Sequence, residues 1–79
     1  MDLSAHCRQM LKEREIPLAW VELTFHQPDC TEEHTDGTRH DLKQIPAYGN
    51  RWLRLIINMT DGNPVCVTLF FDRRLRKKS

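Results

Sequence analysis

Two apolar runs in the second half of the chain constrain the fold most. Arg51–Met59 and Pro64–Asp72 are rich in the branched and aromatic side chains that favour strands. Apolar side chains fall at every second position of both runs, and successive side chains of a strand point to opposite faces. The shared apolar face holds Leu53, Leu55 and Ile57 on the first run and Val65, Val67, Leu69 and Phe71 on the second. The pattern predicts two paired antiparallel strands at the centre of a sheet, with this face against helices.

The connection between these strands sets their predicted register. A three-residue loop, Thr60–Gly62, suits a bulged hairpin, because Gly62 adopts the left-handed conformation without a steric penalty. This register pairs side chains on the face away from the helices: Arg54 with Thr68, Trp52 with Phe70, and Ile56 with Cys66. A five-residue loop would shift the pairs by one step and leave them on the same face.

Two short helices are predicted before the sheet. Apolar residues recur at helical spacing between Ser4 and Arg14, and Ser4 is a favoured cap for the first helix. Pro17 is excluded from a helix interior but suits a first turn, so it separates this helix from a second, Pro17–Phe25. Pro28 ends the second helix, because the residue before a proline is pushed out of the helical region.

The polar stretch Cys30–Ile45 completes the predicted fold as a hairpin at the edge of the sheet, with its turn at Thr35–Thr38. The predicted class is α+β, with two N-terminal helices packed on one face of a four-stranded antiparallel sheet in the order ααββββ. A chain of 79 residues is too short for two cores, which predicts a single domain over 1–79. Residues 73–79 are predicted to form a basic, loosely ordered tail.

Composition narrows the classes of protein without identifying one. The first residues lack the apolar run of a signal peptide, and no stretch is long enough to cross a bilayer, so we expect a cytoplasmic protein without membrane contact. The three cysteines are widely spaced and predict reduced thiols. The formal net charge of +1 hides a segregation, with acidic residues in the middle of the chain and basic residues at its end.

Several short motifs follow one another in a recognisable order along the chain. They are Ser4, His6 and Met10, then Glu13-Arg14 with Ile16, Pro28-Asp29, Gly37–Arg39, Trp52–Ile57 and Val67–Arg74. In this order the sequence resembles the domain-of-unknown-function 4258 family over nearly the whole chain. One departure is Glu15, where relatives usually carry glycine, and a second is the more basic tail.

That family is similar to the fold group of the RelE and BrnT toxins, barnase and the colicin nuclease domains. The resemblance implies an antiparallel sheet with helices on one side. It also implies a metal-independent ribonuclease site on the other side of the sheet.

The residues with chemistry suited to such a site are one histidine, three arginines and a threonine. His6 is the candidate acid or base, since an imidazole can take or give a proton in the attack of a ribose 2′-hydroxyl on phosphate; the alternative is a histidine that only hydrogen-bonds the backbone. Arg14, Arg54 and Arg73 are the candidate phosphate ligands, since a guanidinium donates two parallel hydrogen bonds and stays charged. Thr68 is a candidate to orient a phosphate oxygen. The alternatives are a solvated arginine on an open sheet face and a threonine that is only a good strand former.

Three aromatic residues and the basic end of the chain are the candidate nucleic-acid contacts. Trp52, Phe70 and Tyr48 have rings that stack on unpaired bases, as proteins that bind single-stranded RNA commonly do. Arg74 and Arg76 would attract a polyanion by releasing its counterions. The alternatives are a dimer interface, where the same aromatic residues are enriched, and an ordinary solvated terminus.

A zinc site and a nucleotide site are both disfavoured by spacing. The candidate ligands are His26, Cys30, His34 and His40. A four-residue step would align such ligands on a helix, but Pro28 interrupts any helix there, and neither common zinc-finger spacing is present. The glycines lie in isolated turns rather than in a phosphate-binding loop. The sequence therefore predicts no metal and no cofactor.

These features favour a toxin-like RNA-binding domain, and they leave open whether it cleaves RNA as a metal-independent endoribonuclease. The expected partners are RNA and either a cognate antitoxin or a second copy of the chain. The alternative is a non-catalytic interaction domain that uses the helix-free sheet face for dimerisation or for an antitoxin partner.

Overall fold

The computed structural model describes residues 1–60 and 62–75 of the chain. Its elements are, in chain order, β1 (Asp2–Leu3), α1 (Ala5–Glu13), α2 (Leu18–His26), β2 (Cys30–Glu33), β3 (Thr38–Ile45), β4 (Arg51–Asn58) and β5 (Val65–Phe71). Short 3-10 turns occupy Pro46–Tyr48 and Arg73–Leu75. Arg76 and the rest of the predicted tail, 76–79, lie outside the described residues.

The strands form one five-stranded sheet in the order β1-β5-β4-β3-β2. The predicted α+β class is confirmed, but the prediction of four antiparallel strands is wrong, because β1 adds a fifth strand parallel to β5. Two residues are too few to show a period of two in the sequence, so the pattern carried no signal for this strand. The edge assignment holds for β2, whereas β3 lies inside the sheet between β2 and β4.

Both helices begin and end near the predicted residues. Ser4 caps α1, since its hydroxyl accepts a hydrogen bond from the Cys7 amide at 3.0 Å. At the other end, the Glu15 and Ile16 amides donate to the carbonyls of Lys12 and Leu11, which closes the helix as a Schellman motif. This motif places Glu15 at a φ of +54°, the left-handed region that favours glycine.

The core lies between the helices and one face of the sheet. α1 packs against β5, and α2 packs against β3 and β4. The buried apolar residues of this core are Cys7, Ile16, Val21, Ile45, Leu53, Leu55, Ile57, Cys66 and Leu69. The three alternating residues of β4 therefore face the helices, as their spacing predicts. No helix in residues 1–60 or 62–75 is long and apolar enough to cross a bilayer.

The predicted pairing of β4 with β5 is wrong by one step. Across the two strands Arg54 lies opposite Phe70 and Ile56 opposite Thr68, because the connection from Asn58 to Val65 is longer than the predicted loop. A bulge then shifts the register, so that Ile57 pairs with Cys66. The extra residue turns Cys66 into the core instead of leaving it on the outer face. Directly opposed and alternate residues share a face, so Arg54 and Thr68 are still on the same, helix-free side.

Candidate functional site

A cleft of about 390 Å³ opens at one end of the sheet, on the side of the helices. It is lined by Arg14, Ile16, Tyr48, Arg51, Phe71, Asp72 and Arg73. We call the group formed by Arg14, Arg51 and Arg73 around Tyr48 and Phe71 the arginine cleft. Three of these residues, Arg14, Arg73 and Tyr48, were candidates from the sequence, whereas Arg51 was not.

These side chains come from the ends of several helices and strands rather than from a single element. Arg14 is the C-cap of α1, and Arg51 is the first residue of β4. Asp72 separates Arg73 from the end of β5, and Tyr48 ends the 3-10 turn that leads into β4. The chain reverses sharply between Tyr48 and Arg51 because Gly49 and Asn50 both have positive φ values, +67° and +58°.

The arginines of the cleft form no ion pair in the part of the chain that the structure describes, and Asp72, which also lines the cleft, is paired with Arg54 and Arg74. Within the described residues, no carboxylate oxygen lies within 4.0 Å of the guanidinium nitrogens of Arg14, Arg51 or Arg73. The Arg51 guanidinium instead lies over the Tyr48 ring, 4.8 Å from its centroid. Because arginine stays charged at any physiological pH, the cleft attracts anions.

The aromatic floor of the cleft is anchored in the core. The Tyr48 ring centroid lies 4.7 Å from that of Phe71 and 5.7 Å from that of Trp20 on α2. Phe71 packs edge-on against Trp20 at 6.3 Å. Tyr48 nevertheless keeps 43% of its surface exposed, so the ring is held in place and remains accessible to a ligand.

On the helix-free face, Arg54 is buried and already paired. Its Nε donates to Asp72 Oδ2 at 2.9 Å, and its Nη1 donates to Glu32 Oε1 at 3.0 Å and to His40 Nδ1 at 2.7 Å. Because Glu32 lies on β2, the side chain extends over β3, where its strand partner Leu42 is only 1% exposed. Two carboxylates balance the charge of Arg54, so a phosphate would compete with them for this guanidinium, and the role of Arg54 as a phosphate ligand stays a prediction.

Asp72 holds this network together. Arg74 donates to its carboxylate from the side chain and from the backbone amide, and Arg54 donates from the other side. Arg74 first and then Arg54 favour the charged form and lower the pKa of Asp72 to about 2, against the opposing effect of burial. Asp72 is therefore fully ionised at neutral pH and is a poor proton acceptor.

Glu32, His34 and His40 form a second group, which we call the histidine cluster. The His34 and His40 rings stack with centroids 3.8 Å apart, and His34 Nε2 lies 3.1 Å from Glu32 Oε1. Hydrogen bonds from Arg54 and then His34 lower the pKa of Glu32, so this carboxylate is ionised. Burial, followed by the nearby charges of His34 and Arg54, lowers the pKa of His40 and favours its neutral form.

The remaining candidates lie away from the arginine cleft. His6 is exposed in the first turn of α1, and at 1.5 Å per residue it lies roughly 12 Å along the helix from Arg14. Thr68, Trp52 and Phe70 are partly buried on the helix-free face. The Trp52 indole nitrogen has no hydrogen-bond partner among the described residues.

Spacing along the chain could not reveal either group fully. The hairpin register places Glu32 directly opposite His40, and His34 follows two residues later on the same face. The sequence prediction tested the histidines only against helical and zinc-finger spacings, and neither spacing describes ligands on two paired strands. Arg51 had a usable signal, because a charged residue directly after the Tyr48–Asn50 turn must lie at the end of the sheet.

No family model, no curated protein and no solved structure matches the chain. The chemistry of the arginine cleft and of the histidine cluster therefore carries the functional assignment.

Proposed function

We propose that this chain is a toxin-like RNA-binding domain that holds single-stranded RNA in the arginine cleft. The supporting observation is the convergence of Arg14, Arg51 and Arg73, none of which forms an ion pair within the described residues, on an exposed and anchored tyrosine. Guanidinium groups bind phosphate oxygens in pairs, and an aromatic ring offers a stacking surface for an unpaired base. The cleft volume of about 390 Å³ is in the range of small-molecule sites, which suits one nucleotide unit of a strand.

Different observations support RNA binding and RNA cleavage. Metal-independent cleavage needs a group that takes the proton from the ribose 2′-hydroxyl. The described residues that line the cleft include no histidine, and their one carboxylate, Asp72, is held in its ionised form with a lowered pKa by Arg74 and Arg54 and is a poor base. His6 lies at the opposite end of α1. The geometry thus favours binding, and the resemblance to ribonuclease toxins alone supports cleavage.

The salt dependence of RNA affinity tests the binding proposal. A labelled single-stranded oligoribonucleotide is titrated with protein at several salt concentrations, and affinity is measured by fluorescence anisotropy. Three phosphate contacts predict that log K falls with log [salt] with a slope of about −2, since each contact to a single strand contributes about −0.7. Arg14→Ala, Arg51→Ala and Arg73→Ala should each reduce this slope by about 0.7.

Arg8→Ala is the matched control. Arg8 is exposed on α1, outside the cleft, and its replacement by alanine removes the same charge from the protein. If Arg8→Ala weakens binding as much as Arg51→Ala does, the cleft is not the binding site. The same samples, incubated with total RNA and a chelator, report cleavage; an undiminished rate in His6→Ala removes His6 from any mechanism.

The interaction-domain alternative predicts a different result. Self-association through the apolar side chains of the helix-free face should depend little on salt. Sedimentation of the wild type beside Trp52→Ala measures it. A salt-insensitive dimer that Trp52→Ala dissociates, together with no RNA affinity, would replace the RNA proposal.

A further inference from the structure

The histidine cluster lies outside the arginine cleft and has no part in the proposed RNA binding. His40 is paired with Ile56, five residues along β4 from Arg51 in the cleft. At about 3.4 Å per residue the two positions are roughly 17 Å apart along the strand. A ligand of the cluster can therefore be tested separately from RNA.

The backbone fixes the arrangement of the three side chains. Glu32 and His40 are direct partners in the antiparallel ladder of β2 and β3. The turn that follows is closed by the His34 amide, which donates to the Thr38 carbonyl at 3.0 Å, and by the Asp36 carboxylate, which accepts from the Thr38 amide at 3.0 Å. One ligand atom of Glu32, His34 and His40 each lies within 4.8 Å of the others. The three ligand atoms are close enough to bind one ion once the stacked rings of His34 and His40 turn toward a common point.

A cationic group already lies among these ligands. Arg54 Nη1 is 3.0 Å from Glu32 Oε1 and 2.7 Å from His40 Nδ1, both of which act as acceptors toward it. Arg54 is also anchored through its Nε to Asp72, so Nη1 can leave the ligands while the side chain stays attached to Asp72. The site is thus shaped to accept positive charge, and part of it is occupied by a group that a metal ion can displace.

We propose that Glu32, His34 and His40 bind one divalent transition-metal ion of the zinc type, in competition with Arg54. Two imidazole nitrogens and one carboxylate are ligands that Zn²⁺ accepts, and three protein ligands leave a position for water. The ion has access from solvent, since the side chains of His34 and Glu32 are 40% and 42% exposed.

Calorimetric titration of the apo protein with zinc chloride tests the site. We expect one bound ion, and we expect His34→Ala, His40→Ala and Glu32→Gln each to raise the dissociation constant by at least about tenfold. His26→Ala is the matched control, because His26 and Glu22 form an exposed histidine–carboxylate pair, at 3.3 Å, without a third ligand. His34 is itself exposed in a turn, so its variant folds and keeps the test decisive.

Two further variants separate this site from other sources of zinc affinity. Arg54→Gln removes the competing cation and should lower the dissociation constant, and Cys30→Ser removes the exposed thiol and should leave it unchanged. Substitution with Co²⁺ should give visible ligand-field bands without a thiolate band. Wild-type affinity in His34→Ala, or an equal loss in His26→Ala, would overturn the site, and unchanged affinity in Arg54→Gln would overturn the competition.

Discussion

Replacing Asp72 with asparagine should destabilise the fold, because it removes a buried charge that two arginines bind. Asp72 is 3% exposed and accepts hydrogen bonds from both Arg54 and Arg74. Asparagine keeps the size of the side chain and removes its charge. Arg54 then retains only Glu32 as an ionic partner, although its side chain is still buried.

The pKa of Asp72 sets the magnitude of this effect. The value falls from 3.8 to about 2 in the folded protein. Each tenfold change in proton affinity corresponds to about 1.4 kcal/mol, so the folded environment of the carboxylate contributes on the order of 2 kcal/mol at neutral pH. Since the folded pKa is the lower one, this contribution is complete above about pH 4 and is lost as the pH falls to about 2.

Urea unfolding followed by tryptophan fluorescence measures the prediction. At about pH 7, Asp72→Asn should lower the free energy of unfolding by an amount on the order of 2 kcal/mol, and the difference from wild type should shrink below about pH 4. Asp2→Asn removes the same charge from an exposed residue and serves as the control. A difference between wild type and Asp72→Asn that stays constant from pH 7 to acid would refute the assigned role of the carboxylate.

Two further changes test other parts of the fold. Glu15→Gly should raise the free energy of unfolding by about 0.5–1 kcal/mol in the same assay, because glycine relieves the left-handed strain at φ +54°. Only part of this gain is lost, because glycine also makes the unfolded chain more flexible. A thiol reagent should modify Cys30 first, and mass spectrometry identifies the modified residue. Cys30 is exposed, whereas Cys7 and Cys66 are fully buried and have raised thiol pKa values. Faster modification of Cys66 than of Cys30 would contradict the core assignment.

The sequence predicted most of the elements because each carried a strong local signal. Ser4, Pro17 and Pro28 mark helix ends by their own chemistry, and the alternation on β4 reports its buried face directly. β1 escaped prediction because its pairing is made over a long separation, between Asp2 and Val65. Local pattern contains no information about such a contact.

The register and the site needed information that side-chain alternation does not carry. A bulge at Ile56 and Ile57 turns the beginning of β5 over, so that Cys66 is buried while Leu69 keeps its predicted side, and no residue in that stretch is specific for a bulge. The mid-strand position of Arg54 indicated a special environment, but not its kind. Whether such an arginine is free or paired depends on residues from β2 and from the end of β5, which only the folded chain brings together.

Pairing, rather than composition, determines where this chain is cationic. Its formal net charge is only +1, which by itself gives no reason to expect an anion site. The folded chain pairs Arg39 with Asp41, Lys43 with Asp29, and Arg54 with Glu32 and Asp72. These carboxylates thereby neutralise the basic residues that lie near them. Arg14, Arg51 and Arg73 form no such pair within the described residues, and their convergence in the cleft is why we propose that RNA binds there.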